Sequence, residues 1–181
     1  MCKNSCKVVF LDRDGTMNVE VNYLHRKEDL KLIDGTAEAV RLLNEAGYKV
    51  IVITNQAGVA RGYYTEADVK ILHDYMNEVL ERDGAHVDAF YYCPRHPEHG
   101  IGLYKKKCHC RKPETGMFEM AERDLPEGID KVHSYMIGDK RIDAQAGKNF
   151  GVTGVLVGTG YGAKEHAEDR AAGLIKEDGS C

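Results

Sequence analysis

Asp12 and Asp14 stand two residues apart directly after the apolar run Val8–Leu11, in the stretch FLDRDGTMN. Further along lie Thr54-Asn55-Gln56, then Arg111-Lys112-Pro113, then Gly138-Asp139-Lys140 with Asp143. Taken singly, each has a plain reading: an acidic turn, a helix cap, a solvated loop, a Gly-Asp turn. Together they define a narrow chemistry. Three carboxylates around one point repel unless a cation neutralises them, and oxygen donors open to phosphate suit Mg2+. One carboxylate can attack phosphorus to form an aspartyl-phosphate, and a second can pass a proton to the leaving oxygen and later take one from water. A lysine, a threonine hydroxyl and backbone N–H groups can hold the phosphoryl oxygens. The set reads as metal-assisted phosphoryl transfer.

Such residues act together only if the fold gathers them. Five short apolar segments read as strands buried on both faces: Lys7–Leu11, Lys49–Ile53, Val87–Tyr92, Val132–Ile137 and Val152–Val157. Helical patterns lie between them. Thr36–Ala46 carries one apolar stripe and stops at Gly47, and Thr65–Asp83 opens with a Thr-x-x-Asp capping box and stops at Gly84. Gly116–Arg123 and Ala144–Asn149 give shorter patterns. The alternation predicts one α/β domain with a parallel sheet covered on both faces, whose ligands collect beyond the carboxyl ends of the strands. The four polar motifs follow strands or the loop after the third. Residues 17–34 break the alternation and read as a hairpin or flap.

The bulk numbers agree. A chain of 181 residues suits one core, and 43% hydrophobic with 30% charged residues excludes disorder and a membrane bundle. A net charge of −4 gives no general pull toward nucleic acid or anionic membranes. The N-terminal apolar run is too short for a signal peptide, which favours the cytoplasm and reduced cysteines. Cys93, Cys108 and Cys110 with a nearby histidine, in a Cys/His/Lys/Arg-rich loop, then suggest structural Zn2+. Cys2, Cys6 and Cys181 form no readable spacing.

These motifs resemble the four signatures of the haloacid dehalogenase (HAD) superfamily of phosphatases, over roughly residues 7–160. TNQAGVARG at Thr54–Gly62 and the CHCRKP stretch resemble the branch that holds the D-glycero-D-manno-heptose 1,7-bisphosphate 7-phosphatases and, as nearest relative, the histidinol-phosphatase domain. The resemblance implies a single Rossmann-like domain over residues 1–181 without a large cap, carrying a zinc loop at about 93–110. It implies a monomeric cytoplasmic enzyme that removes the C7 phosphate of a small sugar bisphosphate in nucleotide-activated heptose synthesis, toward lipopolysaccharide or another surface glycan. Histidinol-phosphate phosphatase is the enzymatic alternative. A phospho-receiver or a zinc-stabilised binding module is the non-enzymatic one.

By the same resemblance Asp12 is nucleophile and Mg2+ ligand, and Asp14 is general acid/base, binding metal through its backbone carbonyl. Asp139 completes the ligands, Asp143 orients them, and Thr54 and Lys112 stabilise the phosphoryl group. Glu20, Val21, Asn22, Tyr23, Asn55, Gln56, Ala57, Arg111 and Lys140 match substrate-contacting positions. Arg61 is a further anion contact, and Arg111 holds the phosphate that is not cleaved. The branch pattern is Cys-x-His…Cys-x-Cys, whereas this chain has Arg95 at the histidine position. His96 is the expected fourth zinc ligand beside Cys93, Cys108 and Cys110. His99 and His109 stand as alternatives, and a three-ligand or metal-free loop stays open.

Overall fold

The structure is a computed structural model that describes residues 5–172; Cys2 and Cys181 lie outside them. Its centre is a five-stranded, all-parallel sheet of β1 (Val8–Leu11), β2 (Lys49–Asn55), β3 (Ala89–Cys93), β4 (Tyr135–Gly138) and β5 (Thr153–Leu156), in the order β3-β2-β1-β4-β5. Strand β1 pairs with β2 on one side and β4 on the other, Phe10 lying opposite Ile51 and Met136. The chain runs outward from β1 to β3, then returns to the far side of β1 as β4. The direction reversal falls beside β1, the place where an open parallel sheet leaves a crevice at its carboxyl end.

Side chains alternate across each strand, and here both faces are apolar. Val8 and Phe10 of β1, with Ile51, Ile53 and Met136, pack on one side against α4 (Gly116–Asp124) and α5 (Arg141–Phe150) through Met117, Phe118, Ala146 and Phe150. Val9, Leu11, Val50 and Val52 face the other way, against Val40 of α1 (Thr36–Glu45) and Met76 and Leu80 of α3 (Glu66–Glu81). The Thr65–Asp68 capping box is formed, with Asp68 N–H donating to the Thr65 hydroxyl and Thr65 N–H to the Asp68 carboxylate.

The structure corrects several boundaries. Residues Lys131–His133 form a 3-10 turn, because the Asp130 carboxylate accepts the His133 N–H, so β4 starts only at Tyr135. Helix α5 begins three residues earlier than the apolar pattern suggests, capped through Asp143. Two helices have no counterpart in the sequence reading: the short α2 (Ala57–Ala60), and α6 (Gly162–Ala171), whose side chains are largely polar. Helix α6 is tied to α5 by Arg141, whose guanidinium donates to Asp169, Glu168 and the Glu165 carbonyl. The 17–34 segment is a flap with little regular structure, pinned by one antiparallel bridge between Asn18 and Leu32.

Phe118 is fully buried, with ring centroids 4.8 Å from Phe10 and 4.9 Å from Phe150. Phe118→Ala should therefore cost about 3–5 kcal/mol of unfolding free energy through lost burial and the cavity left behind. Urea denaturation monitored by circular dichroism measures it; a loss below about 1 kcal/mol would contradict this packing.

Candidate active site

Asp12 leaves the end of β1 with its N–H donated to the Ile137 carbonyl of β4. The next residues wind into a tight turn in which the Arg13 carbonyl accepts the N–H groups of Met17 and Asn18. Gly15 takes φ +82°, and a Cβ there would stand 2.3 Å from Asp139 Oδ2. Glycine thus serves two needs, a left-handed backbone and close approach to a carboxylate of the neighbouring strand end.

Lys112 is the hub. Its ammonium is buried, 2.8 Å from Asp12 Oδ1 and 2.7 Å from Asp143 Oδ1, and donates to the Ile53 carbonyl at 2.9 Å. Asn55 fixes it from behind: its side-chain oxygen accepts the Lys112 N–H and its amide donates to the Lys112 carbonyl. Burial alone would lower the lysine pKa, but Asp12 and Asp143 outweigh it and keep the ammonium charged. Burial, with the Asp12 charge nearby, raises Asp143 to about 6 despite the opposing pull of Lys112.

Carboxylate oxygens of Asp12, Asp139 and Asp143 lie within 4.8 Å of one another. Asp139 Oδ2 accepts the Tyr161 N–H, while its buried Oδ1 has no partner. Burial also raises the Asp139 pKa. Asp143 is more fully engaged, with Lys112 at Oδ1 and the Lys140 N–H donated to Oδ2. Crowded carboxylates with one orphaned oxygen form a hard-oxygen donor set that suits a divalent cation such as Mg2+.

Asp14 is held quite differently. Arg13 donates to both of its oxygens (3.0 and 2.8 Å), and Asn18 and Gln56 add one hydrogen bond each. Burial would raise this carboxyl, but the Arg13 guanidinium with these hydrogen bonds holds it below the ordinary value. Arg13 is itself fully buried, donating to the Leu24 carbonyl and Gln56 Oε1 and contacting His73 Nε2 at 3.2 Å. Arginine has no acceptor, so His73 must accept at Nε2 as a neutral ring. Burial, then the Arg13 charge, pushes its pKa down to about 3. Gln56 closes the network, its amide donating to the Thr54 hydroxyl and its carbonyl accepting from Tyr64.

Above these groups opens a cavity of about 180 Å3. Asp12, Asp14, Thr54, Lys112 and Asp143 line it, as do Glu20, Asn22, Tyr23, Asn55, Gln56, Ala57 and Lys140.

A family model described as HAD-hydrolase-like matches residues 109–177. The chain is 45% identical over 167 residues to a D-glycero-beta-D-manno-heptose-1,7-bisphosphate 7-phosphatase of Haemophilus ducreyi, covering 91% of this chain and 90% of that protein. A like-named protein of Vibrio cholerae is 44% identical, with 92% and 89% covered. The chain belongs to the heptose-1,7-bisphosphate 7-phosphatase family of HAD phosphatases. Among solved structures, the D,D-heptose 1.7-bisphosphate phosphatase from B. bronchiseptica, complexed with magnesium and phosphate, matches with a TM-score of 0.78. It is 33% identical, with 90% of this chain and 86% of that one covered.

Within this HAD phosphatase fold, not every expected contact reaches the cavity. Val21, Arg61 and Arg111 lie outside its wall. Arg61 packs against the Tyr23 ring, 5.8 Å from its centroid, and Arg111 donates to the Arg95 carbonyl at 3.1 Å. Asn55 and Gln56 line the cavity, yet their side chains are committed to Lys112 and to the Asp14–Thr54–Tyr64 network. The sequence reading missed Tyr64, Ile142 and Tyr161 in the wall and Arg13, Asn18 and His73 behind it. Tyr161 was within reach of the strand-end rule, since GTGYG follows the fifth strand as the other motifs follow theirs.

The cysteine loop requires one correction. Cys93, Cys108 and Cys110 offer sulfurs within 4.8 Å of one another, but His96 does not join them. His96 Nδ1 accepts the N–H groups of Glu98 and His99, and its backbone bridges to Lys105. Adjacent Arg95 faces the sulfurs instead, so His96 points elsewhere. His109 is likewise engaged, with Glu119 at 3.0 Å.

His73 makes a pH prediction. The unfolded ring gains a proton near its ordinary 6.5, whereas the folded ring resists protonation down to about 3. Acid therefore favours the unfolded state across that window. Between about pH 6.5 and 5, the urea midpoint of the natural protein should fall more steeply than that of His73→Gln, whose amide cannot titrate. Parallel pH profiles would contradict a buried neutral His73.

Proposed function

We propose that this protein removes the C7 phosphate of D-glycero-D-manno-heptose 1,7-bisphosphate by way of an aspartyl-phosphate on Asp12. The observation that carries the reading is the meeting of Asp12, Thr54, Lys112 and Asp143 around one cavity, with buried Asp139 beside the two carboxylates, in a chain 45% identical to a protein named for that reaction.

Asp12 attacks phosphorus from the end of β1. Lys112 and the Thr54 hydroxyl hold the phosphoryl oxygens as charge builds on them. Asp14 gives a proton to the leaving C7 oxygen and later takes one from the water that frees Asp12. In the free protein Arg13 keeps Asp14 ionised; the charge of an arriving phosphate raises its pKa toward the protonated form. Asp12, Asp139 and the Asp14 backbone carbonyl hold Mg2+, with Asp143 orienting the set. When bound, Mg2+ offsets the charge of the carboxylates and the phosphoryl oxygens. A relative crystallised with magnesium and phosphate supports this assignment.

Glu20, Asn22, Tyr23, Ala57 and Lys140 position the sugar. Val21, Arg61 and Arg111 contact it from outside the wall once it is bound, Arg61 and Arg111 toward the phosphate that stays. Cys93, Cys108 and Cys110 hold a structural Zn2+ that steadies the loop leading to Arg111. The enzyme works as a cytoplasmic monomer on a small sugar bisphosphate, with no nucleic-acid or membrane partner, in heptose activation for lipopolysaccharide or another surface glycan.

Steady-state kinetics test the roles. Asp12→Asn should abolish turnover, and Asp14→Asn should lower kcat by about 10^2–10^4-fold, the usual share of general acid–base catalysis. Full activity in Asp14→Asn would contradict its role. In the natural protein, kcat/KM should favour the heptose bisphosphate over histidinol phosphate; a tenfold or greater preference for histidinol phosphate would reverse the substrate assignment.

A further inference from the structure

The fourth corner of the sulfur cluster belongs to Arg95. Its Nη1 lies 3.2 Å from Cys108 Sγ and 3.9 Å from Cys110 Sγ. Cys93 Sγ lies 2.9 Å from Cys110 Sγ on the other side, deep against the core. A guanidinium is always cationic and carries only N–H donors, so it cannot ligate a metal. It can donate to ligand sulfurs from outside. The structure pairs Cys108 and Cys110 as a disulfide; once that bond is reduced, three thiolates with one Zn2+ carry a net charge of −1, which a single arginine balances. Three soft sulfurs fit Zn2+, but the closed four-ligand protein site usual for structural zinc is not formed here. His96 is turned to the backbone of Glu98 and His99, and His109 is paired with Glu119.

The geometry points to a three-sulfur Zn2+ site whose fourth position is not filled by a protein side chain, with Arg95 as an outer partner to the sulfurs. The ion at such a site exchanges more readily than in a closed one. Its state bears on the substrate side of the loop through one hydrogen bond, because the Arg95 carbonyl accepts from Arg111 Nη1 at 3.1 Å. The proposal rests on the structural Zn2+ proposed above and not on the phosphoryl chemistry.

The test uses the full-length protein in a thiol-free reductant, with Zn2+ competition against a chromophoric chelator and Co2+ absorption as readouts. One ion per chain should bind, with charge-transfer intensity for three sulfur ligands. His96→Ala should leave Zn2+ affinity within about twofold, while Arg95→His, which supplies the missing ligand, should tighten it about tenfold or more. Failure of the natural protein to bind Zn2+ under reduction would overturn the inference. So would a loss of about tenfold or more in His96→Ala, which would show His96 closing the site. His96→Ala keeps the inference falsifiable should Arg95→His not fold.

Discussion

The Lys112 ammonium between Asp12 and Asp143 is the contact on which the rest of the site depends. A carboxylate at the end of β1 and another in the first turn of α5 would repel in a buried setting, and burial already pushes Asp143 up to about 6. Lys112 opposes that repulsion from 2.8 and 2.7 Å and spends its third N–H on the Ile53 carbonyl. Removing one partner of such a buried group would leave uncompensated charge in the core, which is costly. The same arrangement leaves Asp139 Oδ1 unpartnered, so the hub organises the carboxylates without neutralising all of them.

The sheet makes this meeting possible. With the order β3-β2-β1-β4-β5, Asp12 and Asp139 leave adjacent parallel strands in the same direction. Thr54 leaves on the other side of β1, at the end of β2. The carboxylates divide by their neighbours. Asp12 faces Lys112 and the carboxylates of Asp139 and Asp143. Asp14, two residues on, lies against Arg13, Gln56 and Asn18. The Arg13–His73 contact anchors this second network in α3, so the surroundings of Asp14 are tied to a helix while Asp12 extends from a strand.

Much of this was legible in the sequence because its signals are local. Apolar runs marked the five strands, and the Thr65 capping box and Gly84 bracketed α3. The polar motifs at strand ends located Asp12, Asp14, Thr54, Lys112, Asp139 and Asp143. What escaped depends on long-range packing. His73 sits on the stripe of α3 and gave no sign of meeting Arg13, 60 positions away. Helix α6 lacks a strong apolar face and is held by the ionic grip of Arg141, which periodicity does not register. His96 was placed by proximity in sequence to a cysteine, but the direction of a side chain in extended backbone reverses at each residue, and Arg95 took the inward side.

The proposed chemistry requires a covalent intermediate at Asp12. A single turnover with the heptose bisphosphate, quenched in acid and mapped by peptide mass spectrometry, tests this directly. One phosphoryl group is expected on the Asp12 peptide, absent in Asp12→Asn. Turnover with no phosphorylated peptide, or with the phosphate on another residue, would contradict it.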